Sequence, residues 1–256
     1  AWRYLAPRLG ANHQVVHWHF RGHGRSGPPL DREMLSIEDL ARDLRRVCDH
    51  LGLVRPVVVG HSMGVQVALE FYLQNRDEVA GLILMCGTFG RITSTFHGTN
   101  LLAQVLPGLL RGTRMFPSIA RAVWGRVPAA VAFRVACAGR QLDADRIEED
   151  DFQRYWEHAA RMDPDVFLRM LEHAGAHDAR AFLEQIEVPT LVVAAEHDTF
   201  TPLPLALEMA AAIPTAELEV LEGASHAAPV EQPDRIADRV EEFLSSRLGV
   251  GDDGAQ

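Results

Sequence analysis

The sequence contains no lysine, and all 25 of its basic residues are arginine. Lysine forms Schiff bases, anchors pyridoxal phosphate and contacts nucleotide phosphates in a P-loop, so these three chemistries are excluded. Cysteine is also scarce. Cys48, Cys86 and Cys137 match no metal-binding spacing, and their apolar surroundings predict buried free thiols. Free thiols are typical of a reducing compartment, and we therefore expect a cytoplasmic protein.

Long apolar runs are missing as well. No run is long enough to span a membrane, and we expect no secretion signal. Positive charge is in deficit, because the net charge is −10, which argues against a nucleic-acid partner. With 256 residues and 47% hydrophobic content, the chain can form one large domain or a domain with an insertion.

One stretch organises the rest of the sequence. Three valines at residues 57–59 run into Gly60-His61-Ser62-Met63-Gly64, and an apolar, helix-compatible segment follows over residues 65–73. This pattern predicts a strand, a sharp turn and a helix. Gly60 and Gly64 lack the Cβ that would clash in such a turn, which would hold Ser62 exposed at the positive end of the helix.

Further strands are predicted at residues 14–20, 82–86, 189–195 and 217–221, separated by helical patterns. One helix begins at Ser36, where Asp39 completes a capping pattern, and ends at Gly52. Strands that alternate with helices indicate an α/β fold with a mainly parallel sheet and helices on both faces.

Residues 89–187 interrupt this alternation, since they show no convincing strand pattern and are too long for a loop. Helical patterns occur instead at residues 101–110, 119–127, 129–138, 148–161 and 166–174. We predict that residues 89–187 form a helical cap inserted into a core made of residues 1–88 and 188–248. A disordered tail over residues 249–256 is also predicted.

Three chemically competent residues follow successive strands: Ser62, Asp198 and His226. The carboxyl ends of parallel strands lie at one edge of the sheet, so these side chains are expected to meet there. Histidine can remove the serine proton, and a carboxylate can orient the histidine and stabilise its charged form. The N–H of Met63, at the start of the helix, could bind a developing oxyanion.

Each residue also has an ordinary interpretation. Ser62 could serve turn geometry, Asp198 could cap the helix that starts near residue 203, and His226 is one of twelve histidines. Their joint position at strand ends, in the order serine, aspartate, histidine, favours catalysis. His17 and His19 lack a third metal ligand at a suitable spacing, so no metal site and no cofactor are predicted.

The sequence resembles the α/β-hydrolase superfamily, in particular the small capped carboxylesterase-like enzymes. The resemblance rests on Phe-Arg-Gly-His-Gly-Arg-Ser-Gly at residues 20–27, on the turn at residues 60–64, on Val-Pro-Thr at residues 188–190 before Asp198, and on Gly-Ala-Ser-His ending at His226. It implies that Ser62 is the nucleophile, Asp198 the acid and His226 the base, with Met63 N–H as an oxyanion donor. The implied partner is a small-molecule ester-type substrate.

The sequence departs from the family pattern at two places. His19 stands where the family usually has aspartate. The chain also begins in a helix, at residues 2–9, that in the family follows three strands and a His-Gly loop supplying the second oxyanion donor. The third of those strands would lie between the strands at residues 14–20 and 57–59. We therefore expect these two strands to pair directly or to leave a gap, with half of the oxyanion hole absent.

The resulting hypothesis is a serine hydrolase that cleaves a carboxylic ester or thioester through an acyl-enzyme. Lactonase, perhydrolase, acyltransferase and carbon–carbon hydrolase activities are left open, whereas the serine disfavours dehalogenases and epoxide hydrolases. The alternative is a truncated, impaired or non-catalytic hydrolase-fold chain that binds a small molecule. Neither the acyl length of the substrate nor the oligomeric state is predicted.

Overall fold

The computed structural model describes residues 2–94, 99–138, 142–143 and 145–249, so most of the predicted tail lies outside the described residues. The strands are β1 (Val57–His61), β2 (Gly81–Met85), β3 (Thr190–Ala195) and β4 (Ala216–Leu221). The helices are α1 (Leu5–Leu9), α2 (Ile37–Leu51), α3 (Met63–Gln74), α4 (Leu101–Met115), α5 (Pro117–Trp124), α6 (Ala129–Ala138), α7 (Glu149–Ala160), α8 (Pro164–Ala176), α9 (Leu203–Ala212), α10 (Ala228–Glu231) and α11 (Pro233–Leu248).

The four strands form one parallel sheet in the order β1-β2-β3-β4. Every residue of β2 and β3 is buried, as expected for strands covered on both faces. Leu82 and Leu84 of β2 pack with α3 and α9, whereas the alternate residues Ile83 and Met85 pack with α1 and α11. The predicted α/β fold, with helices on both faces of a parallel sheet, is confirmed.

The predicted strand at residues 14–20 is wrong. The segment pairs with no strand, and in the described ranges β1 has β2 as its one sheet neighbour, so the direct pairing does not form. Val15 and Val16 are 39% and 37% exposed. Trp18 and Phe20 pack instead against a cluster that includes residues of α2 and α8. A short apolar run becomes a strand only where another strand completes its hydrogen bonds, which a local pattern cannot reveal.

The predicted helix ends agree with the structure better than the predicted strand at residues 14–20 does. Ser36 caps α2 and forms the expected reciprocal pair with Asp39, and Gly52 ends the helix in the left-handed conformation. Helices α4 to α8 lie in the chain between β2 and β3, close to the predicted helical segments. Helix α8 packs on α2 and α3 through Val166, Met170 and Ala174. The division into core and cap at residues 89–187 stays a prediction.

Two sequence-based expectations concern solvent and membrane exposure. Across the described ranges, none of the helices has the length and apolar character needed to cross a membrane. The three cysteines are free, with Cys48 and Cys86 buried. Cys137 is only partly buried, contrary to expectation, because α6 has no buried residue and contacts mainly α7.

Candidate active site

Ser62 lies in the turn that joins β1 to α3, at the carboxyl edge of the sheet. Its backbone angles are φ 57° and ψ −124°, an unfavourable conformation for a residue with a side chain. The Ser62 N–H donates to the Met85 carbonyl at 3.1 Å, and the Ser62 carbonyl accepts from the Val65 N–H at 3.0 Å. Both neighbouring elements therefore hold the strained turn in place.

The two glycines of this turn differ in whether a larger residue would fit at their positions. A Cβ on Gly60 would lie 2.3 Å from the Gly64 carbonyl oxygen, so only glycine fits there. A Cβ on Gly64 would meet no atom outside its own helix turn within 4 Å, and the predicted steric reason for this glycine is therefore wrong. Gly87, after β2, is a further close contact, because its Cβ would be 2.7 Å from the Ser62 carbonyl oxygen.

Ser62, His226 and Asp198 are brought together, as the sequence predicted. The Ser62 Oγ lies 2.9 Å from His226 Nε2, and His226 Nδ1 lies 2.8 Å from Asp198 Oδ2. A carboxylate accepts hydrogen bonds only, so His226 Nδ1 carries the proton and Nε2 is free to accept from the serine hydroxyl. This is the arrangement in which an imidazole can remove the serine proton.

Asp198 is fixed by its immediate surroundings. Its Oδ1 accepts the N–H groups of Phe200 and Thr201, each at 2.8 Å, and its Oδ2 accepts the Thr201 hydroxyl at 2.8 Å. Burial alone would raise the pKa of Asp198, but the charge of His226 and these hydrogen bonds outweigh it and hold the pKa below its ordinary value. The Asp198 oxygens bond to the loop at residues 200–201 and to His226. Asp198 is therefore not the capping residue of α9, which is Pro202.

The loop before His226 is anchored by Glu231, a residue that sequence reasoning missed. One Glu231 oxygen accepts the Ser225 N–H at 2.7 Å, and the other accepts the Ser225 hydroxyl at 2.5 Å. The second oxygen also accepts the Asp143 N–H at 2.9 Å, from the chain between β2 and β3. This buried carboxylate therefore links the histidine loop to the inserted segment.

His61 is a second residue that sequence reasoning missed. Its Nε2–H donates to the His226 carbonyl at 3.0 Å, and the two rings lie 5.1 Å apart. Burial, together with the positive charge that His226 can carry, lowers the pKa of His61 to about 3, so its ring is neutral at pH 7. Phe200 packs against His226 with the ring centroids 4.7 Å apart. Only the contact across 165 residues reveals the role of His61, and the sequence offers no signal for it.

Met63 is the first residue of α3, directly after Ser62. The N–H of a first helical residue has no partner within its own helix and points toward the positive end of the helix dipole. This N–H is therefore available to an anion at the serine. Among the described residues no group of histidine, cysteine and carboxylate side chains has a metal-binding arrangement.

The fold and this strand-end arrangement define a class of protein, and comparison with known proteins gives the same class. The profile of the α/β hydrolase fold family matches residues 1–233. The chain therefore belongs to the α/β hydrolase fold family and is an enzyme of the hydrolase class.

Particular relatives extend over most of the chain. The chain is 29% identical over 247 residues to a 2-hydroxy-6-oxononadienedioate/2-hydroxy-6-oxononatrienedioate hydrolase of Pseudomonas putida, covering 94% of this chain and 80% of the relative. The fold resembles an enol-lactonase of Burkholderia xenovorans, with a TM-score of 0.75, 23% identity, and 96% and 86% of the two chains covered. A thermophilic esterase of Thermogutta terrifontis has a TM-score of 0.69 and 25% identity, with 90% and 78% covered.

Proposed function

We propose that this enzyme hydrolyses a carboxylic ester or thioester of a small molecule through an acyl-enzyme on Ser62. The observation that supports the proposal is the unbroken hydrogen-bond chain from Asp198 through His226 to the serine hydroxyl, with distances of 2.8 and 2.9 Å. The esterase and enol-lactonase among the similar structures act on ester bonds by their names, which agrees with this reaction class.

In the first half of the reaction, His226 Nε2 takes the Ser62 proton as Oγ attacks the substrate carbonyl carbon. The carbonyl oxygen becomes an oxyanion, which the Met63 N–H can stabilise; one such donor is worth about 3 kcal/mol in other enzymes. His226 then gives its proton to the alcohol or thiol leaving group, and the acyl group remains on Ser62. Asp198 stabilises the imidazolium that forms in between.

In the second half, His226 removes a proton from water, which attacks the acyl-enzyme carbonyl. The acid product leaves, and the proton returns to Ser62 Oγ. His61 and Glu231 act in this scheme as positioning residues, because each bonds to the backbone or neighbour of His226 rather than to its ring nitrogens. Both residues hold the His226 imidazole at hydrogen-bond distance from the Ser62 hydroxyl.

A panel of aryl esters of increasing acyl length tests the proposal. We expect turnover by the native chain, loss of turnover in Ser62→Ala, and labelling of the native chain alone by a fluorophosphonate. Ser118→Ala, an exposed serine on α5, is the matched control and should keep full activity. Undiminished ester turnover in Ser62→Ala would refute the proposal, and so would absence of turnover and labelling in the native chain. That second result would favour the alternative of a small-molecule-binding module.

A second candidate reaction is carbon–carbon bond hydrolysis, which the 29% identity to the Pseudomonas putida enzyme favours. The same serine, histidine and aspartate could serve it. Turnover of the 2-hydroxy-6-oxononadienedioate in that relative's name, at a higher kcat/KM than any ester in the panel, would select this reaction over ester hydrolysis.

A further inference from the structure

The charge of the chain is distributed unevenly. No aspartate or glutamate occurs between Glu78 and Asp143, although the whole chain has 35 acidic residues. The same interval contains seven arginines. A strongly basic segment is therefore set within a protein of net charge −10, and it includes the whole of α4, α5 and α6.

Exposed apolar side chains are concentrated on the same helices. Leu101, Val105 and Leu109 follow one another at four-residue spacing along α4 and are 61%, 45% and 49% exposed. The opposite side of α4 is buried through Leu106 and Leu110, which pack near Leu168 of α8. Helix α4 thus has an inner apolar side that is buried in the fold and an outer apolar side that is about half exposed.

The outer side continues through the turn into α5. Met115 at the end of α4 and Phe116 in the turn are 60% and 54% exposed, and Ile119 and Val123, four residues apart on α5, are 61% and 62% exposed. We call these seven apolar residues of α4, the turn and α5 the α4–α5 face. Isolated exposed apolar residues are ordinary, but a contiguous face of this kind marks an interaction surface.

Arginines accompany the face, and the charges of two of them, Arg111 and Arg126, are not neutralised by an ion pair in the described ranges. Arg111 on α4 and Arg126 after α5 are exposed, and neither of them forms an ion pair within the described part of the chain. Arg114 is on the side of α4 that faces α8, where it lines a cavity with Asp163 and Asp165. Arg121 is bonded to Asp163, which Arg32 also contacts. The surface around the α4–α5 face therefore has excess positive charge.

We propose that the α4–α5 face docks on the surface of a lipid bilayer that contains anionic headgroups. Helices that present apolar side chains beside arginines lie in the interface plane, with the apolar groups among the acyl chains and the arginines at the headgroups. Anionic headgroups supply the negative charge that pairs with these arginines. The acidic remainder of the chain is repelled by the same surface, so the protein docks in one orientation.

A second copy of the chain is the other partner that could cover the α4–α5 face. In a two-fold interface the same patch meets itself, which would place Arg111 and Arg126 of one copy near the same arginines of the other. Like charges brought together in this way oppose association, whereas a bilayer attracts every one of them. Charge complementarity therefore favours the bilayer.

Co-sedimentation of the full chain with vesicles tests the proposal without any turnover, so its result is independent of the proposed ester hydrolysis. We expect binding to vesicles of phosphatidylcholine mixed with phosphatidylglycerol, and weak binding to phosphatidylcholine alone. Raising salt from about 0.1 M to about 1 M should weaken the binding, because the Debye length falls from about 10 Å to about 3 Å.

Two variants separate the charged from the apolar contribution. Each arginine at an anionic surface is worth about fivefold in partitioning, so Arg111→Gln/Arg126→Gln should bind about 30-fold more weakly. Phe116→Ser/Ile119→Ser should bind weaker by about tenfold or more, because both side chains lose their insertion into the acyl layer. Val54→Ser/Arg55→Gln makes the same kinds of change at an exposed loop before β1 and should bind as the native chain does.

Three results would overturn the proposal: no binding to anionic vesicles at low salt, equal binding by the α4–α5 variants and the native chain, or equal loss in the Val54/Arg55 control. A dimer in light scattering that Phe116→Ser/Ile119→Ser dissociates would also overturn it, because the face would then be a contact between copies. Thermal unfolding of each variant confirms that any loss of binding occurs in a folded protein.

Discussion

Asp198→Asn is the change whose effect the site geometry defines most closely. Asparagine keeps the shape of the side chain, and its oxygen can take the place of Oδ1, which accepts the N–H groups of Phe200 and Thr201. Its NH₂ group then occupies the place of Oδ2 and faces His226 Nδ1. An NH₂ group donates hydrogen bonds, so Nδ1 must become the acceptor and the ring proton must move to Nε2.

That tautomer cannot accept the proton of Ser62, and the imidazolium also loses its carboxylate. The same replacement in a serine protease triad lowers kcat about 10⁴-fold, and we expect a loss of that order here. Thr201→Val is the matched control. It removes one hydrogen bond to the charged Oδ2, worth about 2 kcal/mol, but leaves the carboxylate and the tautomer, so it should lower kcat by no more than about 30-fold.

The assay is steady-state ester hydrolysis by both variants, with thermal unfolding to show that each is folded. KM should change little in either, because Asp198 is buried behind His226 and does not meet the substrate. An Asp198→Asn enzyme within about tenfold of the native kcat would refute the proposed role of the carboxylate. Equal losses in the two variants would mean that Asp198 acts only through local packing.

Three further predictions concern the supporting residues. His61→Leu leaves the His226 carbonyl without its donor and should lower kcat about tenfold or more with little change in KM, while His61→Gln, which retains a donor, restores most of the activity. Gly60→Ala should destabilise the fold by several °C in Tm, because its Cβ meets backbone, whereas Gly64→Ala should be neutral or slightly stabilising. Burial would raise the pKa of Asp163, but hydrogen bonds from two arginines lower it from 3.8 to about 2. These pairs stabilise the fold fully above the pKa that Asp163 has in the unfolded chain. Their contribution is lost as the pH falls through the lower pKa of Asp163 in the folded protein. The Tm advantage of the native chain over Asp163→Asn, followed by calorimetry, should therefore shrink between about pH 5 and about pH 2.

The parts of the fold that short patterns determine could be read from the sequence. The capping pair at Ser36 and Asp39 and the strand–turn–helix at Ser62 depend on residues a few positions apart, so local chemistry is enough to predict them. The meeting of Asp198 with His226 followed from the edge that parallel strands share. In each case the local signal and the final environment agree.

Contacts between distant segments could not be read in this way. The segment at residues 14–20 has a strand pattern but no partner strand in the described ranges, and its aromatic residues pack beside α2 and α8. The bond from His61 to the His226 carbonyl joins residues 165 positions apart, and the outer side of α4 resembles an ordinary core-facing helix until its exposure is known. These features depend on which segments the complete fold brings into contact and which surfaces it leaves exposed.

Mass spectrometry of the intact protein after rapid quenching with an aryl ester tests the central claim most directly. We expect the native chain to gain the mass of one acyl group, which peptide mapping locates on Ser62, whereas Ser62→Ala gains none. Turnover without any acyl adduct on Ser62 under conditions where deacylation limits the rate, or an adduct that persists in Ser62→Ala, would contradict this claim.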